Sequence, residues 1–293
     1  MFIAADIGGT NGRVAAYAGT DGTETLAVKE FEMTKHTAVR PGNAQEDMRN
    51  VIIACRELQE QYGAIDGIGL AAAGKVNRNR TALVMAGNIG HWVGLPVASL
   101  LRQEFRCVVV LGNDAEAAAL AEAQFGAANE EDVRGENLLA MIWGTGVGGA
   151  AIYKTPEGDF VPIPGEPGHI YIKGLVAPEP MCGCGQPGHL EAYCGGDNML
   201  RIIGKRTHDE FDDVDWMTIY MHMFEGLKNI LRVHPVGLIT FSGGVACKQS
   251  WLMDKLEQLF ALPENAEFGS PKFRISAFGE SAGTLGALSL INL

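Results

Sequence analysis

The chain has 293 residues, of which 47% are hydrophobic and 20% are charged, so it can form two compact domains with ordinary cores. Its formal net charge of −12 argues against nucleic acid or an anionic membrane as a partner, because both are bound mainly through clustered Lys and Arg. No apolar run approaches the roughly 20 residues of a membrane span and no signal peptide is recognisable, so we expect a cytoplasmic protein.

The first half of the chain has the pattern of short strands, one long helix and one Ala-rich helix. Apolar segments bounded by turn residues predict strands at 2–6, 13–18, 25–31, 65–70 and 106–111. Apolar residues at i, i+3, i+4 and i+7 predict a helix that contains Met48 to Leu58 and ends at Gly63. A second helix is predicted at 114–125 and is closed by Gly126.

The second half repeats this order. Strands are predicted at 138–143, 150–154 and 238–241, and helices at 217–231 and 282–291. A strand, a glycine turn and a returning strand, followed by helices, thus occur twice, which indicates two α/β lobes with a cleft between them. We expect the N-terminal lobe to cover 1–113 and to include the C-terminal helix at 281–293, and the second lobe to cover 114–280.

Two glycine-rich turns are candidate phosphate loops. Gly8-Gly9-Thr10 and the segment 144–149 each lie where one predicted strand doubles back into the next. Glycine there lets backbone N–H groups approach a phosphate, whereas a plain tight hairpin is the alternative for each turn. The second turn also fits G-x-G-x-x-G, but strand-like residues follow it where a dinucleotide site needs a helix. No P-loop sequence occurs, so the two turns indicate a nucleotide held by two hairpins.

The cysteines indicate a metal site. Three of the six, Cys182, Cys184 and Cys194, fall within thirteen residues. In a reducing cytoplasm this clustering favours metal binding over a disulfide, and a loop with free thiols is the alternative.

Six motifs in a fixed order resemble the ROK family of bacterial sugar kinases and sugar-sensing repressors. They are DIGGT (6–10), GNDA (112–115), GTGVGG (144–149), GEPGH (165–169), CGCGQPGHLE (182–191) and SGG (242–244). The resemblance covers nearly the whole chain. It implies an α/β fold of two actin-like ATPase (ribonuclease H-like) lobes, with a nucleotide and sugar cleft between them.

The resemblance implies that Asp114 is the general base of phosphoryl transfer. Its chemistry agrees, because a sugar hydroxyl must lose a proton as it attacks the γ-phosphate, and a carboxylate at the end of a strand can accept it. The alternative is that Asp114 is the N-cap of the following helix, since Asp is a favoured cap. Asn113 is expected either to take that cap or to bind the sugar.

The remaining site residues are also implied by the resemblance. Sugar contacts are expected from Gly74, Asn88, Asn113, Asp114, Glu166, His169 and Glu191. Nucleotide contacts are expected from Gly8, Gly9, Thr10, Asn11, Gly144, Thr145, Gly146, Gly243 and Gly244. ATP is the expected phosphoryl donor, with Mg²⁺ to neutralise the triphosphate, although some relatives use polyphosphate. Asn11 stands where many relatives carry Lys, so a cationic phosphate contact is missing there.

The resemblance further implies a structural Zn²⁺ held by His169, Cys182, Cys184 and His189. The family usually shows a third cysteine where this chain has His189. Histidine is an equally good zinc ligand, so a Cys₂His₂ site is feasible, and Cys194 is a possible substitute. His169 would then serve both the metal and a sugar hydroxyl.

An ATP-dependent hexose kinase that converts glucose to glucose 6-phosphate is the expected function. Kinases for N-acetylmannosamine, N-acetylglucosamine or fructose are alternatives, because pocket shape selects among them. A non-catalytic sugar-sensing regulator is the alternative of another class, but such relatives carry a DNA-binding segment ahead of the first glycine hairpin. An actin-like polymer would lack the segment from His169 to Glu191. A homodimer is expected.

Overall fold

The computed structural model describes residues 1–35, 41–276 and 278–293. Its contacts divide the chain into unit 1, which comprises Met1–Phe125 and Glu280–Leu293, and unit 2, which comprises Gly126–Gly279. Each unit is mixed α/β and contains a sheet of five strands. Among the helices of the described residues, none combines the length and apolarity that crossing a membrane requires.

The strands and helices are interspersed along the chain, and the connection between β10 and α4 is a long one. In chain order the strands are β1 (Phe2–Ile7), β2 (Asn11–Tyr17), β3 (Thr25–Glu32), β4 (Gly67–Ala72), β5 (Lys75–Val76), β6 (Leu83–Met85), β7 (Val108–Asn113), β8 (Leu138–Trp143), β9 (Val147–Lys154), β10 (Phe160–Ile163), β11 (Leu238–Ser242) and β12 (Lys272–Ile275). The helices are α1 (Ala44–Tyr62), α2 (Val97–Phe105), α3 (Asp114–Phe125), α4 (Leu190–Cys194), α5 (Gly196–Ile203), α6 (Asp213–Val233), α7 (Gly244–Lys248), α8 (Trp251–Phe260) and α9 (Ala282–Ser289).

The sheet of unit 1 has the order β3-β2-β1-β4-β7. β1, β2 and β3 form an antiparallel meander, and β4 and β7 add to β1 in parallel. Every residue of β4 is buried, as expected for a central parallel strand covered on both faces. The core includes Ile3, Leu58 and Leu70. The predicted strands and the helix that ends at Gly63 are confirmed, with ends shifted by one or two residues in the strands.

Helices α3 and α9 pack closely together in unit 1. A Cβ atom built on Gly286 of α9 would lie 2.3 Å from the backbone carbonyl of Ala117 in α3, so glycine is needed for this approach. Because of this packing, unit 1 extends to Phe125. The sequence placed the break near Asn113, twelve residues earlier, since a helix that follows a turn carries no mark of the unit against which it packs.

The sheet of unit 2 has the order β10-β9-β8-β11-β12. It repeats the topology of unit 1, because β8, β9 and β10 are antiparallel and β11 and β12 add to β8 in parallel. The duplication inferred from the sequence is thereby confirmed. Trp143, Phe241 and Phe260 are fully buried in its core. Between β10 and α4, the chain forms a 3-10 turn at Pro167–His169 and two isolated bridges, Tyr171 with His189 and Met181 with Pro187.

Candidate active site

The glycine hairpin of unit 1 joins β1 to β2 and is packed against Asn88. The amide of Gly8 donates to the carbonyl of Asn11 at 3.1 Å, which closes the turn. A Cβ atom on Gly9 would lie 2.7 Å from the Cβ of Asn88, so this side chain lies directly on the hairpin. Thr10 and Asn11 are exposed. The structure thus brings together Gly8, Gly9, Thr10, Asn11 and Asn88.

Asn113 and Asp114 stand where β7 ends and α3 begins. The Asn113 Oδ1 accepts hydrogen bonds from the amides of Ala115 at 2.9 Å and Glu116 at 3.1 Å, so Asn113 caps the helix. Its Nδ2 donates to the carbonyl of Gly74 at 3.0 Å and to Asp114 Oδ1 at 2.9 Å. The cap that the sequence left open therefore belongs to Asn113. Asp114 is half-buried, and one of its oxygens is oriented by the Asn113 amide.

Asp6 is a further acidic group beside the first hairpin. It is the last residue but one of β1, and a Cβ atom on Gly283 of α9 would lie 1.9 Å from its Oδ2. Burial raises the pKa of the Asp6 carboxyl, and the charge of Arg13 lowers it in part. A carboxylate in this place could hold the Mg²⁺ that accompanies a nucleotide. Asp6 belongs to the DIGGT motif, but the motif by itself indicated no separate role for it.

The glycine hairpin of unit 2 is fixed by Glu191. The hairpin joins β8 to β9, and the amide of Gly144 donates to the carbonyl of Gly146 at 3.0 Å. The amide of Val147 donates to Glu191 Oε2 at 3.0 Å. A Cβ atom on Gly146 would lie 2.5 Å from the same oxygen, so the carboxylate is packed onto the turn.

Glu166 and His169 flank the 3-10 turn that follows β10. Gly168, between them, is buried, and a Cβ atom there would lie 1.8 Å from the carbonyl of Val147. His169 is thereby held next to the hairpin, with its Nε2 3.9 Å from Glu191 Oε1. Glu166 is exposed. With His169 it lines a cavity of about 350 Å³ whose other walls are mainly apolar, including Ile163, Ile230 and Val233.

The four predicted metal ligands lie together. Ligand atoms of His169, Cys182, Cys184 and His189 are all within 4.8 Å of one another. Cys184 Sγ is 3.2 Å from His189 Nδ1, and the two imidazole rings are stacked with centroids 5.3 Å apart. Donor atoms of a tetrahedral zinc site are about 3.4 to 3.8 Å apart, so small side-chain movements would close this set around the ion. The residues therefore fit Zn²⁺.

Cys194 is not available as a ligand. Its side chain is fully buried in the core of unit 2, and its Sγ donates to the carbonyl of Ile219 at 3.7 Å. Burial raises the pKa of its thiol. The suggestion that Cys194 could substitute for His189 is therefore wrong, because helix α4 turns this side chain away from the other ligands.

A polar cavity of about 490 Å³ adjoins the second hairpin. Gly144, Thr145 and Gly244 line it, and a Cβ atom on Gly144 would lie 3.6 Å from the amide of Gly244. Gly243 lies against the same hairpin, since a Cβ atom there would be 3.1 Å from the amide of Gly144. Three of the five predicted nucleotide residues of unit 2 thus line this cavity, and Gly243 lies beside it.

This cavity also contains residues that the sequence analysis missed. Arg206, Thr207, His208 and Lys248 line it, with Trp216 and Leu200 as apolar walls. Lys248 lies four residues after Gly244 on α7, so the two share a helix face. That spacing was a signal from which Lys248 could have been found. Arg206 lies in a loop, and no sequence pattern connects it to the hairpin.

The comparisons with known proteins agree with this geometry. Two duplicated α/β units with glycine hairpins define the class with the actin-like ATPase fold. The ROK family model matches residues 2–293, and the chain belongs to the ROK family. A structure of a ROK family glucokinase from Streptomyces griseus, in complex with glucose and AMPPNP, has a TM-score of 0.70 at 23% identity and covers 99% of each chain. At that identity the likeness shows the fold.

Two relatives carry different substrate names. A glucokinase from Streptomyces coelicolor is 34% identical over 146 residues, which are 49% of this chain and 43% of that protein. This chain therefore spans less than half the length of that relative in the match. An N-acetyl-D-glucosamine kinase from Mannheimia succiniciproducens is 27% identical over an alignment of 318 positions that covers 99% of both chains.

Proposed function

We propose that the chain is an ATP-dependent hexose kinase, with glucose as the first candidate substrate and glucose 6-phosphate as the product. The observation that carries the proposal is the arrangement at the start of α3. Asp114 directly follows the carboxyl end of the parallel strand β7, and the Asn113 amide joins its carboxylate to the Gly74 carbonyl. Ligand sites of open α/β sheets lie at such strand ends.

In the proposed reaction, Asp114 accepts the proton of a sugar hydroxyl while that oxygen attacks the γ-phosphorus of Mg²⁺-bound ATP. The bond between the γ-phosphorus and the β,γ-bridging oxygen breaks, and ADP leaves. The glycine hairpins donate backbone N–H groups to the phosphates. Arg206 and Lys248 supply cationic groups in the unit 2 cavity, which would make up for the neutral Asn11. Asn88, Glu166, His169 and Glu191 are proposed to bind sugar hydroxyls. Asn113, whose side-chain amide already makes four hydrogen bonds, is proposed to orient Asp114 instead.

We also propose that His169, Cys182, Cys184 and His189 bind a structural Zn²⁺. The ion would supply cross-linking of a segment that has little regular secondary structure. His169→Ala should then reduce the zinc content and raise the KM for the sugar together. Full zinc content in this variant would contradict the assignment of His169 as a ligand.

An N-acetylhexosamine is the second candidate substrate. The cavity lined by Glu166 and His169 has mainly apolar further walls, which would suit the methyl of an N-acetyl group. The likeness to an N-acetyl-D-glucosamine kinase over the whole chain points the same way. Discrimination by one small group is worth about 1 to 3 kcal/mol, so kcat/KM values must be compared.

The test is a coupled assay of ADP release with ATP and Mg²⁺ across glucose, fructose, N-acetylglucosamine and N-acetylmannosamine. Polyphosphate replaces ATP in a parallel series. Asp114→Asn should lower kcat by about 10² to 10⁴ while nucleotide binding is retained. Asp254→Asn makes the same chemical change on the exposed face of α8 and should leave kcat unchanged. Absence of sugar-dependent turnover would instead support a sugar-sensing regulator.

A further inference from the structure

Glu191 connects two sites that the sequence analysis treated as separate. Its Oε2 accepts the hydrogen bond from the Val147 amide at 3.0 Å, at the second glycine hairpin. Its Oε1 is 3.6 Å from Cys182 Sγ and 3.9 Å from His169 Nε2, both in the four-ligand cluster. The Glu191 carboxylate therefore contacts the candidate phosphate loop through one oxygen and the candidate metal site through the other.

The contact with the hairpin is geometrically tight. The carboxylate lies where a side chain on residue 146 would lie, since a Cβ atom on Gly146 would be 2.5 Å from Oε2. The Glu191 side chain is three-quarters buried, with 24% of its surface exposed, so its hydrogen bond is only partly screened by water. A shift of this carboxylate would change the direction of the Val147 N–H and the path of the hairpin.

The backbone of Glu191 is held from the same region. Its carbonyl accepts from the amide of Gly195 at 2.8 Å and from the Nδ2 of Asn198 at 2.8 Å. The amide of Gly196 in turn donates to the carbonyl of Gly144 at 2.9 Å. Since the backbone is fixed, the rotamer of Glu191 is the variable element, and the cluster around Oε1 is what selects it.

An ion in the cluster would restrict that rotamer. Cys182 and His169 are the two ligands next to Oε1, and coordination would fix their positions. Without an ion these side chains are held only by packing and by the stacking of His169 on His189, so the neighbours that confine Oε1 are less firmly fixed. Binding or loss of the ion is therefore expected to affect the conformation of the hairpin through the Glu191 side chain.

We propose that Glu191 is a positioning residue that couples zinc occupancy of the cluster to nucleotide affinity at the second hairpin, even when no sugar is present. The inference rests on the proposed function, because that function assigns the hairpin to the nucleotide. It also narrows the sugar contact of Glu191 to Oε1, since Oε2 is engaged by the hairpin.

The experiment measures binding of Mg²⁺–AMPPNP to the full chain by calorimetry, without sugar. Chelator-treated protein and the same protein reloaded with Zn²⁺ are compared for the wild type, Glu191→Ala and the control variant Glu157→Ala. Zinc removal should raise the wild-type Kd at least about fivefold, the lower end of ordinary allosteric coupling. In Glu191→Ala the Kd values of the zinc-free and the zinc-loaded protein should both be higher than that of the zinc-loaded wild type. They should agree with each other within about twofold. Glu157→Ala makes the same change at an exposed position between β9 and β10, and it should keep the wild-type dependence on zinc.

A second readout covers the case in which the zinc-free protein unfolds. Hydrogen exchange of peptides that contain Val147 should be faster in zinc-loaded Glu191→Ala than in zinc-loaded wild type. The Kd of the variant for the nucleotide should also be higher than that of the wild type. Equal affinity of these two zinc-loaded proteins would overturn the proposal, and so would a wild-type Kd that does not change with zinc or a failure of Zn²⁺ to bind. If the nucleotide binds to none of the proteins, the proposed function itself fails.

Discussion

Acid should destabilise unit 2 less in the variant His222→Gln than in the wild type. His222 lies on α6, is fully buried, and is stacked on Tyr193 with ring centroids 4.6 Å apart. Its Nε2 accepts a hydrogen bond from the Leu175 amide at 2.9 Å, so the ring is neutral in the folded state. Burial lowers the pKa of His222 to about 4, against 6.5 in a model peptide.

The sign and size of the effect follow from this shift. Between pH 6.5 and about 4 the unfolded chain binds a proton at His222 and the folded chain does not. The contribution is therefore fully present above pH 6.5 and is lost as the pH falls through this window. At pH 5 the two pKa values correspond to a loss of roughly 2 kcal/mol in the free energy of unfolding.

The assay is urea unfolding at pH 7 and pH 5, followed by tryptophan fluorescence. Three of the four tryptophans, Trp143, Trp216 and Trp251, lie in unit 2, so the signal reports mainly on that unit. His222→Gln keeps an acceptor for the Leu175 amide but cannot titrate, and its loss between the two pH values should be smaller than that of the wild type by roughly 2 kcal/mol.

Two features of the design make the result decisive. Release of a metal ion at low pH would affect both proteins alike and cancels in the difference. His234→Gln removes a histidine that is only half-buried at the end of the same helix, and it should keep the pH dependence of the wild type. Equal pH dependence in His222→Gln and the wild type would refute the assignment of a neutral buried imidazole.

Three further substitutions test other parts of the structure. Gly168→Ala should cost about 1 to 3 kcal/mol and raise the sugar KM, because its Cβ would overlap the Val147 carbonyl, whereas Gly165→Ala, which meets no atom within 4 Å, should be silent. Asp47 is buried and accepts hydrogen bonds from the Thr34 amide, His91 and Trp92. Burial raises the pKa of the Asp47 carboxyl, but these hydrogen bonds lower it further, so the pKa is below its usual value. The stabilisation that the hydrogen bonds give is therefore lost as the pH falls through this pKa. Asp47→Ala should lower the free energy of unfolding at pH 7 by about 3 to 5 kcal/mol, and a change under 1 kcal/mol would contradict this network. Lys248→Ala should raise the KM for ATP about tenfold or more without changing the KM for the sugar. Lys255→Ala is the control. An unchanged KM for ATP in Lys248→Ala would exclude a phosphate contact of Lys248.

The duplication could be predicted from the sequence because it depends on local patterns. Apolar runs of strand length, the glycine turns between them and the helix stops at Gly63 and Gly126 are properties of a few consecutive residues. These patterns gave eight strands of the two five-stranded sheets to within a few residues. They missed β10 and β12 of unit 2 and also β5 and β6, which form a separate two-stranded sheet. All four have only two to four residues, and no periodicity can develop over such a length.

The candidate metal site could be predicted only in part. The close spacing of Cys182, Cys184 and Cys194 indicated metal binding, and the resemblance to the ROK family added His169 and His189 to Cys182 and Cys184. The exclusion of Cys194 was not readable, because it depends on the direction in which α4 turns that side chain into the core. The sequence spacing of Cys194 from His189 is as short as that of the true cluster members.

The sequence by itself determined the duplicated α/β architecture, because residue type and local order specify turns and strands. Its motifs, through their resemblance to the ROK family, predicted roles for Asp114, the glycine hairpins and the four candidate metal ligands. The tertiary structure decided the contacts between segments far apart in the chain. It assigned the helix cap to Asn113, added Lys248 and Arg206 to the cavity at the second hairpin, and set the two oxygens of Glu191 against different partners. Such contacts depend on packing between elements, and a linear pattern carries no record of which distant backbone atoms a side chain will meet.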